Sequence, residues 1–346
     1  MGEFMKKVSM SDIAKAANVS KGTVSNALNG KNHMLSQEKK EEILRIAEEM
    51  GYQKINHLIR FVVFERQSRA GKMKMDETEA FRELYSAIEE ECERNHYKVA
   101  LNHIHESEKT RGFEYIETLA DSDGLIILGW ELQQDDLRWL RNITDLPFVV
   151  VDASFSDPDF DFITSNNTDA ANQLTQKMID MGHKRIAYID GGNMSVNKER
   201  FTGYQNALIE NHIGFDPTLI CYIDRQEKSI FTDEIREFLQ RQAKRTSPMP
   251  SAVLCCDDRV AVSLMAVAVS MKLKLATAGF DNLPLCLEQI PQLSSVAVNA
   301  SYTGTVTARR MIEKIETKDL RTQKIYVESD VFFRDSIFKL NKSHNV

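Results

Sequence analysis

The sequence lacks the local signatures of most catalytic folds. It has no Gly-x-Gly-x-x-Gly, no phosphate-cradling P-loop and no Gly-x-Ser-x-Gly elbow, so a common nucleotide enzyme or serine hydrolase is excluded. Its five cysteines, Cys92, Cys221, Cys255, Cys256 and Cys286, are odd in number and irregularly spaced. That pattern builds no disulfide framework. Cys255-Cys256 has no Cys-x-x-Cys partner and no nearby His, so no metal set is expected, and the thiols read as buried and reduced, as in a cytoplasm. His103 and His105 share a strand face but lack a third ligand at sensible spacing. They read as edge or cleft-lining residues, and neither a catalytic residue nor a cofactor is expected. No apolar run is long enough to span a bilayer. The longest, Val260–Val269, is broken by Ser263 and preceded by Asp257, Asp258 and Arg259. Lys6 and Lys7 lead into a polar, helix-forming segment, unlike a signal peptide. Met1–Phe4 precede a second methionine and read as a vector leader.

An excess of positive charge is also missing, since the net charge is −7. The distribution changes that picture. The first 56 residues carry nine basic and seven acidic side chains, and most of those acids fall in their last helical stretch. From Met5 to Met34, Lys6, Lys7, Lys15, Lys21 and Lys31 face Asp12 alone. A local basic face is thus joined to an acidic body, the arrangement expected where one end of a chain meets nucleic acid. With 346 residues, the chain accommodates a small domain plus a two-lobed one.

Ser9-Met-Ser-Asp12 precedes apolar residues at helical spacing and predicts a helix opened by a capping box. Ile13, Ala14, Ala16 and Ala17 give that helix a small apolar face. Asn18 tolerates the left-handed backbone of a tight turn. Val19 plugs the turn, and Ser20 caps a second helix with Thr23 as its third residue. Val24, Ala27 and Leu28 face the first helix, and Asn29-Gly30 ends the second. Two short helices with a three-residue turn and small residues at their crossing predict a helix-turn-helix. The polar side of the second helix offers Lys21, Gly22, Ser25, Asn26 and Asn29, and the N-terminal residues of such a helix enter the major groove. Asn can pair with adenine through two hydrogen bonds, while Ser and Thr bond bases or phosphates. Lys21 either reads a guanine or anchors a phosphate. A third helix is expected from Ser36, with Ile43, Leu44, Ile46, Ala47 and Met50 as its buried stripe and Gly51 as its stop. A three-helix bundle that binds protein is the alternative, against which the basic bias and the polar second helix argue.

Val8–Gly30, followed by Glu48-Glu-Met-Gly-Tyr52, resembles the lactose/galactose repressor family of bacterial transcription regulators. The resemblance implies a homodimer that binds double-stranded operator DNA. Positions matching the base-reading helix are Ser20, Lys21, Gly22, Thr23, Ser25, Asn26 and Asn29, and Ser9 at the start of the first helix joins the DNA-contacting set. Asn26 stands where the family more usually has Arg, so a different operator sequence is expected. The family's connector carries Pro-Asn and a hinge helix that wedges the minor groove. Here Gly51-Tyr52 runs almost directly into Leu58–Phe64 without proline, so that helix is shortened or missing.

Beyond residue 57, short apolar runs alternate with helical patterns. The runs are 59–65, 98–105, 124–129, 148–152, 185–190, 218–223, 252–257 and 275–281; Glu79–Asn95, Asp169–Met181 and Lys198–Asn211 are helical. Such alternation predicts parallel, doubly wound α/β sheets, and the number of units predicts two. Gly182–Ile189, Arg200–Tyr204, Ala278–Asp281 and Pro291–Val296 extend the family resemblance over nearly the whole chain. It implies a periplasmic-binding-protein-like pair of lobes crossed three times. The expected division is residues 5–56 for the helix-turn-helix with its short hinge and 57–340 for the effector-binding and dimerisation domain. Within the latter, 57–160 and 292–322 form lobe 1, and 161–291 and 323–340 form lobe 2.

Several strands end in a polar residue: Glu65, Asp152, Asp190, Asp257 or Asp258, and Asp281. In open α/β sheets the ligand crevice lies beyond the carboxyl ends of the strands. Carboxylates gathered there, with Arg200 at a helix start and Trp130 as a stacking face, suit a small polyhydroxylated effector. Each Asp can instead cap the helix after its strand, Arg200 can form a surface ion pair, and Trp130 can serve the core. By resemblance, Asp152, Arg200 and Asp281 match the family's effector-contacting positions. Val298-Asn299 and Asp257-Asp258 depart from the family pattern, and the excess of acid favours a neutral sugar over an anion. The expected function is a repressor of carbohydrate-utilisation genes controlled by a sugar in the inter-lobe cleft. The alternative is control by a phosphorylated carrier protein, which the acidic helix 79–95 would repel.

Overall fold

The computed structural model describes residues 8, 10–28, 36–50, 57–65, 78–105, 122–130, 132, 134–144, 146–154, 160–192, 194–223, 228–317 and 321–340. Three helices come first: α1 (Met10–Ala16), α2 (Lys21–Leu28) and α3 (Gln37–Glu49). They enclose a small core of Ile13, Ala14, Ala17, Val24, Ala27, Ile43 and Ala47. Ala16 and Leu44, expected on buried faces, are exposed, because the stripe of each short helix is only wide enough for its neighbours on either side.

The body follows. In chain order it contains β1 (Leu58–Glu65), α4 (Glu79–Arg94), β2 (Lys98–His105), β3 (Gly124–Leu128), α5 (Gln134–Ile143), β4 (Phe148–Val151) and β5 (Phe162–Ser165). Then come α6 (Asn167–Asp180), β6 (Ile186–Asp190), α7 (Ser195–Glu210), β7 (Ile220–Tyr222), α8 (Lys228–Ala243), β8 (Ala252–Cys255), α9 (Asp258–Ser270) and β9 (Ala276–Phe280). The chain continues through α10 (Leu285–Glu288), β10 (Ser294–Ala297), α11 (Ala300–Thr317), β11 (Lys324–Val327) and β12 (Asp330–Phe332). Two six-stranded sheets result, ordered β11-β5-β4-β3-β1-β2 and β12-β10-β9-β8-β6-β7. Every pairing is parallel except β12 against β10.

A parallel sheet covered on both faces must bury both sets of alternating side chains. Strand β1 shows this. Ile59, Phe61 and Val63 enter one core with α4 and α11, while Val62 enters another with α5. The second sheet is likewise covered by α6 and α7 on one face and α8 and α9 on the other.

The expected lobe boundaries need correction at three strands. β5 and β11 lie in the first sheet, and β10 lies in the second, so the chain crosses at residue 166, at 298–299 and at 328–329. The physical reason is partly electrostatic. Fully buried Asp161, just before β5, accepts from Arg310 of α11 at 2.8 Å, pairs with Lys314 and accepts the Gln323 N–H at 3.0 Å. A buried carboxylate needs such partners, and they tie β5, α11 and the lead into β11 into one lobe.

Candidate functional site

The head is built as its turn chemistry requires. Asn18 has φ 51°, the left-handed conformation predicted for it. The Thr23 N–H donates to Ser20 Oγ at 3.0 Å and the two hydroxyls lie 2.8 Å apart, so Ser20 caps α2. Lys39 of α3 donates to the Ala17 carbonyl at 3.4 Å and pairs with Glu42 at 2.6 Å, locking α3 across the end of α1. Ser20, Lys21 and Gly22 are exposed at the start of α2, while Thr23 and Asn26 are half-buried. A Cβ on Gly22 would meet only Ser20 Oγ, at an ordinary 3.6 Å. The protein itself therefore leaves room for a side chain there, and the glycine keeps the outer surface of α2 open to close approach. Ser25 lies on α2, but its side chain is outside the described residues, as are Ser9, Asn29 and the junction 51–56 that bears on the hinge helix.

The second site lies between the lobes. Gly129-Trp130 and Asp152 follow β3 and β4 of the first sheet; Asp190 ends β6, and Asp257-Asp258 and Asp281 follow β8 and β9 of the second. Arg200, on α7, sits at the centre. Its Nε donates to Asn167 Oδ1 at 3.1 Å, Nη1 to the Cys256 carbonyl at 2.5 Å and Nη2 to Asp281 Oδ1 at 3.4 Å. Its guanidinium lies 4.3 Å from the centre of the Phe280 ring, a cation–π contact. Arg200 is thus a buried, fixed donor and not a surface ion pair. Asp281 (φ 97°) and Asp152 (φ 58°) hold left-handed backbone that non-glycine residues adopt at a cost. Both are stabilised by the next strand: the Asp281 N–H donates to Val296 O and the Asp152 N–H to Ile163 O, at 2.8 and 2.7 Å.

Burial pushes the Asp152 carboxyl above its ordinary range. The Trp130 N–H bonded to it and the charge of Arg200 pull it back, and Asp281 adds to the rise. This revises the expectation for Trp130. Its ring is 9% exposed and belongs to the core of the first lobe. Its polar edge holds Asp152, and it presents no open face for stacking on a sugar. Asp258 needs correction too. It is fully buried and faces inward, accepting Ser295 Oγ–H at 2.6 Å and the Leu283 N–H at 2.8 Å. Its role is to hold the loop after β9, and Asp257 caps α9 through the Val260 N–H at 2.9 Å. Asp190 remains half-buried and accepts the Gly192 N–H at 3.0 Å. Glu65 is the last residue of β1, and its side chain lies outside the described residues.

Three polar residues escaped the sequence reading. Asn167 is buried and touches both Arg200 and Glu199; its Nδ2 donates to Glu199 Oε2 at 2.9 Å. Glu199 also accepts from Ser154, on the other lobe. The sequence signal was faint. Glu199 adjoins Arg200 and Ser154 follows Asp152 by two, but nothing local pairs positions so far apart in the chain. All five cysteines are free and buried. Among the described residues no cluster of three or more His, Cys, Asp or Glu could hold a metal, and no helix is long and apolar enough to cross a membrane.

Residues 73–334 match the family model described as periplasmic binding proteins and sugar binding domain of LacI family, and residues 9–54 match that of bacterial regulatory proteins, lacI family. The chain belongs to the LacI family. It is a DNA-binding transcriptional repressor of that family and not an enzyme. Among its relatives, the ribose operon repressor of Haemophilus influenzae is 27% identical over 96% of this chain and 99% of its own. The HTH-type transcriptional repressor PurR of Mannheimia succiniciproducens is 26% identical over 95% and 98%. The fold is shared with a complex of the transcriptional regulator CelR with cellobiose (TM-score 0.69, 22% identity, 95% and 100% of the two chains). It is also shared with a lac repressor dimer bound to operator and the anti-inducer ONPF (TM-score 0.70, 18% identity, 96% and 100%). The alternative of a protein corepressor gains no support from these relatives.

Proposed function

We propose that this repressor acts as a cytoplasmic homodimer on a two-fold-symmetric operator and is controlled by a small, neutral, polyhydroxylated effector, a sugar, in the inter-lobe cleft. The observation that carries the reading is the convergence of Arg200, Asp281 and Asp152 beyond the carboxyl ends of two parallel sheets. A guanidinium donates to hydroxyl oxygens and carboxylates accept from hydroxyls, so this set matches a ligand that both donates and accepts. The surplus of carboxyl groups disfavours an anion. Asp190, at the end of β6, extends the same rim, and Glu65, the last residue of β1, would reach it from the first sheet. Ser20, Lys21, Gly22, Thr23, Ser25, Asn26 and Asn29 would meet operator DNA along α2, with Ser9 at the start of α1. The effector acts by binding one lobe arrangement better than the other. A ribose operon repressor among the relatives and a cellobiose complex among the solved structures support a sugar.

The test is selection of bound genomic fragments by the purified protein, with and without a panel that includes ribose and cellobiose. A symmetric motif whose enrichment changes with one sugar is expected. In Arg200→Ala the response should vanish while the sugar-free protein still binds the operator, since α2 belongs to a separate core. An unchanged sugar response in that variant would refute the pocket.

A further inference from the structure

Arg200 is the cleft's central donor, but the residue before it is the one that touches both lobes. Glu199 Oε1 accepts the hydroxyl of Ser154, which follows β4 of the first lobe. Its Oε2 accepts from Asn167 Nδ2 at 2.9 Å, and its own carbonyl accepts from Thr168 Oγ1 at 3.3 Å. Asn167 opens α6 immediately after the first inter-lobe crossing, and its Oδ1 receives Arg200 Nε at 3.1 Å. A continuous chain of hydrogen bonds therefore runs from Ser154 through Glu199 and Asn167 to Arg200, and on to Asp281 and Cys256. Burial raises the Glu199 carboxyl above its ordinary range, and the Ser154 and Asn167 donors offset that rise. Such a group has few alternatives to its two partners. Losing one leaves a desolvated acceptor unsatisfied, which gives the contact leverage over the lobe angle.

We propose that Glu199 is a cross-cleft latch: its bond to Ser154 fixes the lobe angle of the effector-free repressor, and its shared partner Asn167 makes that bond sensitive to what Arg200 contacts. The second half of this statement rests on the cleft being the effector site; the first does not. Ser154 and Glu199 are positioning residues, since each acts through the arrangement of the lobes. An effector that engages Arg200 draws on the same Asn167 amide that orients Glu199, so occupancy of the cleft and closure of the latch compete.

The test measures the lobe separation directly in the full-length protein without sugar. The five native cysteines are buried, so spin labels are placed at Glu89→Cys on α4 and Lys244→Cys beyond α8, both exposed. Labelled protein is mixed with an excess of unlabelled protein, so that a homodimer carries at most one labelled protomer, and the labelled parent should then give one narrow distance distribution. Ser154→Ala and Glu199→Ala should each broaden it and lengthen its mean, and the double variant should add nothing to either single one. Glu199→Gln should keep the parent distribution, because its amide can donate to Ser154 while its oxygen still accepts from Asn167. Ser154→Ala removes a single hydroxyl and keeps the experiment readable if Glu199→Ala folds poorly. An unchanged distribution in Ser154→Ala, or a Glu199→Gln protein as broad as Glu199→Ala, would overturn the latch. A final arm adds ribose or cellobiose. A response to neither counts against the sugar reading and leaves the sugar-free latch result standing.

Discussion

Asp258 opens α9 just beyond β8 at the crevice yet turns its carboxylate inward. Burial and the nearby charge of Asp281 push its pKa up to about 7, against donors from Ser295, Cys286 and Leu283. An unfolded Asp titrates near about 3.9, so the native protein holds a proton that the unfolded chain releases. The stability tied to this proton is complete below the unfolded pKa and is lost as pH rises through the folded one. Between pH 5 and 8, thermal unfolding should therefore show a larger loss of stability for the parent than for Asp258→Asn. Equal losses would mean that Asp258 is ionised throughout. The same residue marks a limit of sequence reading. An Asp after a strand is equally suited to a ligand, to a helix cap or to a buried turn, and only the position of Ser295, far along the chain, decides.

Helix pairs show why some motif positions admit one residue. On α7, a Cβ at Gly203 would lie 2.1 Å from the Thr168 carbonyl oxygen and 2.8 Å from the Ala171 Cβ of α6. The obstacle is largely backbone, so α6 and α7 must move apart. Gly203→Ala should cost about 3 kcal/mol, at the upper end of overpacking penalties, and calorimetry should show a drop in Tm of about 2–4 °C for each kcal/mol. An unchanged Tm would mean that the helices separate freely. At this scale the sequence was informative where signals are local. The Ser20 cap, the left-handed Asn18 and the runs that became β1 to β4 and β6 to β9 were all legible from spacing and turn residues. Strands β5, β11 and β12 were not: β11 takes its sheet from β5 and β12 from β10, partners far along the chain, and β5 is placed by β11 as well as by β4, so no local periodicity assigned them.

Across the whole molecule, the head and the body are built around separate cores. The cluster that holds α1 to α3 shares no residue with the four clusters of the body. Removing residues 1–56 should therefore abolish operator binding and leave the thermal midpoint of the body unchanged, as read by gel shift and by calorimetry. A body that loses its cooperative transition would show that the head contributes to its stability. The lobes differ from this pair, because neither is a continuous piece of chain. At the crossings, Asn166 Nδ2 donates to Glu328 Oε1 at 3.2 Å and Asn299 Nδ2 to the Glu328 carbonyl at 2.9 Å. The first and second crossings are thus both fastened to the third.

That interleaving governs how the molecule can be made. On the ribosome the three head helices are complete once Met50 emerges, and they can fold while the rest is still being read. The first lobe cannot follow in turn. Its strands up to Ser165 must wait, edge exposed, until β11 and the long helix before it are synthesised, roughly ten to thirty seconds later at about 5–20 residues per second. The second lobe closes on β12 only moments after. Both lobes therefore finish together, once β11 and β12 have been made, and the half-built first sheet, with its apolar faces uncovered, is the species a chaperone would have to meet.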